Sequence, residues 1–152
     1  MIKTFILLLL IIPLMTTAVY ANNDNTSCNA KQLQPIMKRM AEMTRCWNNG
    51  DIKCVVKFYA IKFIYVGNEI ITLKEEMLKH YLNVFQNKKN ASLGQLKFDY
   101  INCNPINKNN IVTLQKYILT TPEGVKQGYD VLVWKKENSQ FYITMDFPKA
   151  IK

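Results

Sequence analysis

Trp47-Asn48-Asn49-Gly50-Asp51, followed by Phe58-Tyr59-Ala60 and Phe63, stands where one periodic pattern stops and another starts. Upstream, Leu33, Ile36, Met37, Met40, Met43 and Trp47 recur at three- and four-residue steps, which predicts an amphipathic helix over 32–47. Asn48-Asn49-Gly50 ends it, because glycine accepts the left-handed conformation of a helix cap without steric cost. Asp51 is placed to cap a second helix whose apolar residues are Ile52, Val55, Val56 and Tyr59. Beyond it, Phe63–Val66 and Glu69–Ile71 flank Gly67-Asn68, a tight-hairpin pattern. Thr72-Leu73-Lys74-Glu75 fits a capping box opening a third helix to about Gln86, with Met77, Leu78, Tyr81, Leu82 and Phe85 on its apolar face.

After a loop over Asn87–Ser92, the periodicity changes from helical to alternating. Leu96, Phe98 and Tyr100 alternate with Lys97 and Asp99, and Ile111–Leu119 is rich in β-branched residues. Val125–Lys136 and Gln140–Phe147 follow, separated by turns at Pro122-Glu123-Gly124 and Glu137–Ser139. Three helices followed by four long strands on short turns predict an α+β fold with an antiparallel sheet.

The chain has 152 residues, 49% hydrophobic, with a formal charge of +9. Sixteen of the first 21 residues are hydrophobic and Lys3 is their only charge. A short positive start, an apolar run over Phe5–Leu14 and small residues at Val19 and Ala21 read as a signal peptide cleaved after Ala21. The run is shorter than the roughly 20 residues a membrane span needs, although stretched to Tyr20 it reads as an uncleaved anchor. The expected organisation is therefore a signal over 1–21, a polar leader over 22–30 and one domain over 31–148. Export to a periplasm or secretion follows, with no stable membrane insertion after cleavage. Asn25-Thr26-Ser27 and Asn90-Ala91-Ser92 are formal glycosylation sequons.

Cys28, Cys46, Cys54 and Cys103 all survive that cleavage. An even number in an exported chain suggests two disulfides, with three possible connectivities. Cys46 and Cys54 flank the helix–turn–helix and are placed to approach each other, which would leave Cys28 for Cys103. Free, buried cysteines are the alternative.

The quoted stretch also resembles the opening of the nuclear transport factor 2-like superfamily, in particular its SnoaL-like branch. There a helix ends in a W-x-x-G-D turn and the next ends in Phe/Tyr-Ala before the first strand. Gly128–Lys135 followed by Phe141-Tyr142-Ile143 resembles the closing hairpin of the same branch. The resemblance covers about Gln34 to Phe147. It implies a cone in which three N-terminal helices pack in the concave face of a curved antiparallel sheet, enclosing an apolar pocket. It also implies frequent dimers through the sheet. Members include isomerases, cyclases, dehydratases and epoxide hydrolases beside non-catalytic binding domains, so the fold does not choose the function.

Isomerase-like chemistry needs a carboxylate base, a tyrosine and a protonated acid. Aligned on the Gly50-Asp51 turn, the family's tyrosine falls at Met43 and its base at Gly67, and neither transfers a proton. Ile61-Lys62 stand where the family's usual acidic pair follows Tyr-Ala. The third position falls at Asp130, on the strand face of Leu132 and Trp134, where an apolar pocket would raise its pKa. A hydrogen bond to a tyrosine or backbone N–H, or exposure on a turned strand, is the plainer reading of Asp130. Met43, Tyr59, Tyr65, Tyr81, Tyr117 and Trp134 are the remaining candidate pocket residues, although such aromatics are usually core. Tyr142, Thr144 and Asp146 have the opposite parity to Phe141, Ile143, Met145 and Phe147, which predicts a polar outer sheet face, a possible dimer surface.

His80, the single histidine, flanks the apolar stripe of the third helix, and no partner carboxylate can be placed beside it from the sequence. One histidine, no Cys-x-x-Cys and no clustered carboxylates argue against a metal, and no phosphate loop or other cofactor motif is present. The lysines are spread along the chain with only two arginines, a dispersed basic surface rather than a nucleic-acid reader. The expected function is an exported domain binding a small apolar or aromatic molecule in its cone. An enzyme of isomerase, cyclase or dehydratase type using Asp130, and a dimeric module docking a partner through its sheet, are the alternatives.

Overall fold

The structure, a computed structural model, describes residues 27–86 and 94–151. The expected signal segment, most of the leader, both sequon asparagines and the Asn87–Ser92 loop lie outside them, as do the side chains of Phe85 and Tyr100.

Helix α1 (Ala30–Asn48) starts earlier than its apolar period suggests, because Asn29 forms a reciprocal capping box with Gln32. Its buried stripe is Ile36, Met40, Met43 and Cys46. The quoted turn forms as the residue types require: Gly50 sits at φ +72°, and the Asp51 N–H returns to the Cys46 carbonyl at 2.9 Å. The Asp51 carboxylate then accepts from the Cys54 N–H at 2.9 Å and opens α2 (Ile52–Val56). This helix is one turn shorter than the sequence suggests, and Tyr59 passes to β1 (Tyr59–Val66). The hairpin places β2 (Ile70–Ile71) antiparallel to β1. Helix α3 (Lys74–Gln86) takes its first hydrogen bond on the Leu73 carbonyl, so the helix cap falls at Leu73 rather than Thr72.

Four long strands follow: β3 (Gln95–Pro105), β4 (Asn110–Thr121), β5 (Gly124–Glu137) and β6 (Gln140–Ala150). The sheet order is β2-β1-β6-β5-β4-β3. It is mixed rather than wholly antiparallel, because β1 runs parallel to the last strand, β6. Helix α3, between β2 and β3, forms part of the long connection that permits this return. Register shifts interrupt β1, β3 and β6, and such irregularities bend a sheet around what it covers. The sheet curves without closing, and α1 lies across it against β3 and β6.

Both cysteine pairs are disulfides: Cys46–Cys54 clamps α1 to α2, and Cys28–Cys103 ties the start of the chain to β3. The Cys28 N–H also donates to the Cys103 carbonyl at 2.8 Å. Deep in the core, Trp134 is fully buried and its Nε1–H donates to Thr113 Oγ1 at 2.9 Å. Among the described residues no helix is long and apolar enough to cross a membrane.

One expectation about β6 is overturned. Trp134 pairs with Ile143 but Val133 pairs with Met145, so Thr144 is an extra residue, a bulge. Parity reverses there. Phe141 and Ile143 are buried before the bulge, whereas Asp146 is buried after it and Met145 and Phe147 turn outward.

Candidate functional site

Strands β1, β3, β4, β5 and β6, with α1, α2 and α3, line a cavity of about 260 Å³. Its wall is almost entirely apolar or aromatic. Met43 and Trp47 come from α1, Tyr59 and Tyr65 from β1, Tyr81 from α3, and Tyr117 and Leu119 from β4. Two carboxyl groups interrupt this wall, Asp130 on β5 and Asp146 on β6. Among the described residues no lysine, arginine or histidine lines it.

The two carboxyls meet because of strand register. Asp130 lies opposite Pro148 and Asp146 opposite Leu132, which makes the two aspartates diagonal neighbours on one face. They are only 7% and 5% exposed. Tyr59 donates its hydroxyl proton to Asp146 Oδ2. Oδ1 of Asp130 and Oδ1 of Asp146 are both buried without a hydrogen-bond partner.

Burial raises the Asp130 carboxyl well above the ordinary carboxylate range; the charge of Asp146 and a hydrogen bond between the two groups push it further. The Gln115 amide, opposite Asp130 across β4 and β5 but outside hydrogen-bond geometry, opposes the rise. Asp146 is also raised by burial, while hydrogen bonds with Tyr59 and Asp130 hold it back. Both carboxyls are thus held toward their protonated forms, Asp130 more strongly, and they titrate as a pair. The surrounding phenols stay protonated: burial and the nearby carboxylates raise Tyr59 and Tyr81 well above their ordinary value, and Tyr65 is pushed up to about 12.

Of the residues singled out in the sequence, Met43, Tyr59, Tyr65, Tyr81, Tyr117 and Asp130 meet at this cavity. Trp134 shares the Asp130 face of β5 but lies outside the lining, held in the core by Thr113. Asp146 was assigned to the opposite sheet face, and the bulge at Thr144 is what brings it in. Gly67 has a local reason to be glycine. A Cβ there would lie 2.5 Å from Tyr65 Oη, so the Tyr65 hydroxyl fills the room a side chain at 67 would need. Tyr117 packs over Gly128 in the same way, where a Cβ would come within 2.5 Å of its hydroxyl. His80 does have a carboxylate partner, Glu69 beside the β1–β2 turn, but neither residue lines the cavity. Among the described residues no group of three or more metal-ligating side chains gathers.

No protein-family model and no curated protein matches this sequence. Solved structures do. An NTF-2-like protein of unknown function from Shewanella oneidensis superposes with a TM-score of 0.70 at 19% identity, over 77% of this chain and 98% of that one. A protein of unknown function with a cystatin-like fold from Nostoc punctiforme gives 0.70 at 14% identity, over 82% and 95%. The chain has the nuclear transport factor 2-like, cystatin-like fold. A ketosteroid isomerase-like protein from Erwinia carotovora shares that fold with a TM-score of 0.66 at 13% identity, over 82% of this chain and 99% of its own. In this cystatin-like cone the carboxyl pair sits on the two strands that meet at the bulge.

The raised carboxyls set a sign for stability against pH. As pH climbs past the ordinary value of 3.8, the unfolded chain releases these protons while the folded chain keeps them. Their contribution is full below that value and is lost as pH rises toward the folded-state values. Asp130→Asn, permanently neutral, should be more stable than the wild type by about 1 kcal/mol or more at about pH 8. The gain should shrink toward about pH 4. Urea midpoints at the two pH values measure it, and a gain independent of pH contradicts it.

Proposed function

We propose that this domain is exported and holds a small apolar or aromatic molecule in its cone, with the polar end of that molecule at Asp130 and Asp146. The observation that carries this reading is the combination of an aromatic cavity with two buried carboxyl oxygens that the protein itself leaves unpartnered. A fold satisfies nearly all of its buried polar atoms, and the exceptions concentrate where a ligand completes them. Two disulfides and the apolar first 21 residues support export. Calorimetric titration of the protein with 2-naphthylmethanol should give saturable binding at one molecule per chain. Leu119→Trp, which fills the cavity wall, should weaken it by about ten-fold or more. Absence of saturable binding contradicts the reading.

Proton transfer is the second reading of the same pair. Asp130 is held toward its protonated form by burial, beside Asp146, which takes the Tyr59 hydrogen bond. This places an acid and a base side by side in one buried site, which suits isomerase, cyclase or dehydratase chemistry.

The outer face of the sheet supports a homodimer. Leu114 lies opposite Val131, Val131 opposite Phe147, and Val133 opposite Met145, an apolar ladder across β4, β5 and β6. Met145 and Phe147 are 39% and 38% exposed on it, and an apolar face of this extent is a usual mark of association. Native mass spectrometry should give a dimer that Phe147→Asp converts to monomer. A monomeric wild type at micromolar concentration contradicts the dimer.

A further inference from the structure

Among the unpartnered polar atoms of the cavity wall, two are carboxyl oxygens, Asp130 Oδ1 and Asp146 Oδ1, beside one donor, the Trp47 Nε1–H. Asp146 accepts the Tyr59 proton on Oδ2, and its Oδ1 remains open. Asp130 likewise has an open Oδ1, on the same face of the neighbouring strand. The site thus presents two open carboxyl oxygens on diagonally adjacent strands. A ligand oxygen that can only accept leaves both carboxyl oxygens unpartnered, whatever it takes from the Trp47 Nε1–H, and a second anion meets repulsion. An alcohol has one proton for two acceptors.

The charge balance points the same way. The chain carries a formal +9, yet among the described residues no cationic side chain lines the cavity beside the two carboxyls. Buried charge uncompensated by a partner is costly. Around the carboxyls stand the rings of Tyr59, Tyr65, Tyr81 and Tyr117, with Trp47 at 5.4 Å from Tyr81 in an edge-to-face contact. Aromatic walls attract cations through their ring faces and accept flat apolar bodies equally well.

We propose that the natural occupant of the cone is a small aromatic amine in its ammonium form, its N–H groups donating to Asp130 Oδ1 and Asp146 Oδ1 while its ring lies among the tyrosines. The proposal rests on the cone being a small-molecule site, as argued above, and names the class of molecule. The charge-assisted hydrogen bonds supply specificity, because a neutral isostere satisfies at most one acceptor and leaves the charge unpaired. Asp130 and Asp146 are binding residues in this scheme; Tyr59 is a positioning residue that fixes the Asp146 carboxyl with its own proton.

The test is a calorimetric comparison on the purified protein of two probes with the same body, 2-naphthylmethylamine and 2-naphthylmethanol. The amine should bind roughly ten-fold tighter or more at neutral pH. Asp146→Asn should abolish that preference while retaining the alcohol. If that variant fails to fold, a pH series on the wild type serves instead. The groups facing the pair are Tyr59 and Tyr65 of β1, Tyr81 of α3, and Tyr117 and Gln115 of β4; none of the four phenols gains charge below neutrality. Amine affinity should therefore fall as pH is lowered and Asp146 takes a proton, while alcohol affinity stays flat. Equal affinity for the two probes, or a preference for the alcohol, overturns the amine proposal and leaves the small-molecule reading standing. Saturable binding of neither probe overturns both.

Discussion

A single extra residue on the last strand governs the interior of this protein. With Thr144 inserted between the pairs Trp134–Ile143 and Val133–Met145, everything beyond it on β6 changes face. Phe141 and Ile143 join the core, then Asp146 enters the cavity and Phe147 leaves it. A regular strand would have done the opposite, putting Phe147 inside and Asp146 in solvent, because side-chain direction has a period of two. The bulge thus creates two surfaces at once: a carboxyl pair within the cone and an apolar ladder on the outer sheet.

Burying that pair works against stability, and the surrounding structure is built to hold it. Each carboxyl stands on a strand hydrogen-bonded on both sides, since β5 lies between β4 and β6, and β6 between β5 and β1. Trp134 and Thr113 lock the strands beneath, Cys28–Cys103 ties the beginning of the chain to β3, and Cys46–Cys54 joins α1 to α2. Within this frame the carboxyls are 7% and 5% exposed. Their cost is lowered by the shift toward their protonated forms and by the hydrogen bond from Tyr59. The remaining open oxygens are where a ligand's hydrogen-bond donors have something to gain.

Most of the fold was legible in the chain because it is written in periodicity and punctuation. The Gly50-Asp51 turn, the stripe of α1, the Gly67-Asn68 hairpin and the four strands follow from residue spacing. The family resemblance carried by the same residues is matched by the fold of the solved neighbours. The parallel pairing of β1 with β6 was not legible, since neither strand's own pattern names its neighbour. Asp130 was found because Leu132 and Trp134 share its parity. Asp146 was missed because a bulge leaves no fixed trace in composition; the run Phe141 to Phe147 alternates as a regular strand would. Pro148 was the available signal, as proline lacks an N–H for the ladder and favours an interrupted or edge register. His80 and Glu69 are eleven residues apart in sequence, and only the hairpin that carries Glu69 beneath α3 brings them together.

The central claim is that two aspartates from neighbouring strands titrate as a pair inside the cone. Titration of the side-chain carboxyl carbons by nuclear magnetic resonance addresses it directly. Asp130 should titrate far above the ordinary carboxylate range, with its shift and that of Asp146 moving together in two linked steps. Independent, single-step titration of both residues near the ordinary value of 3.8 would contradict it.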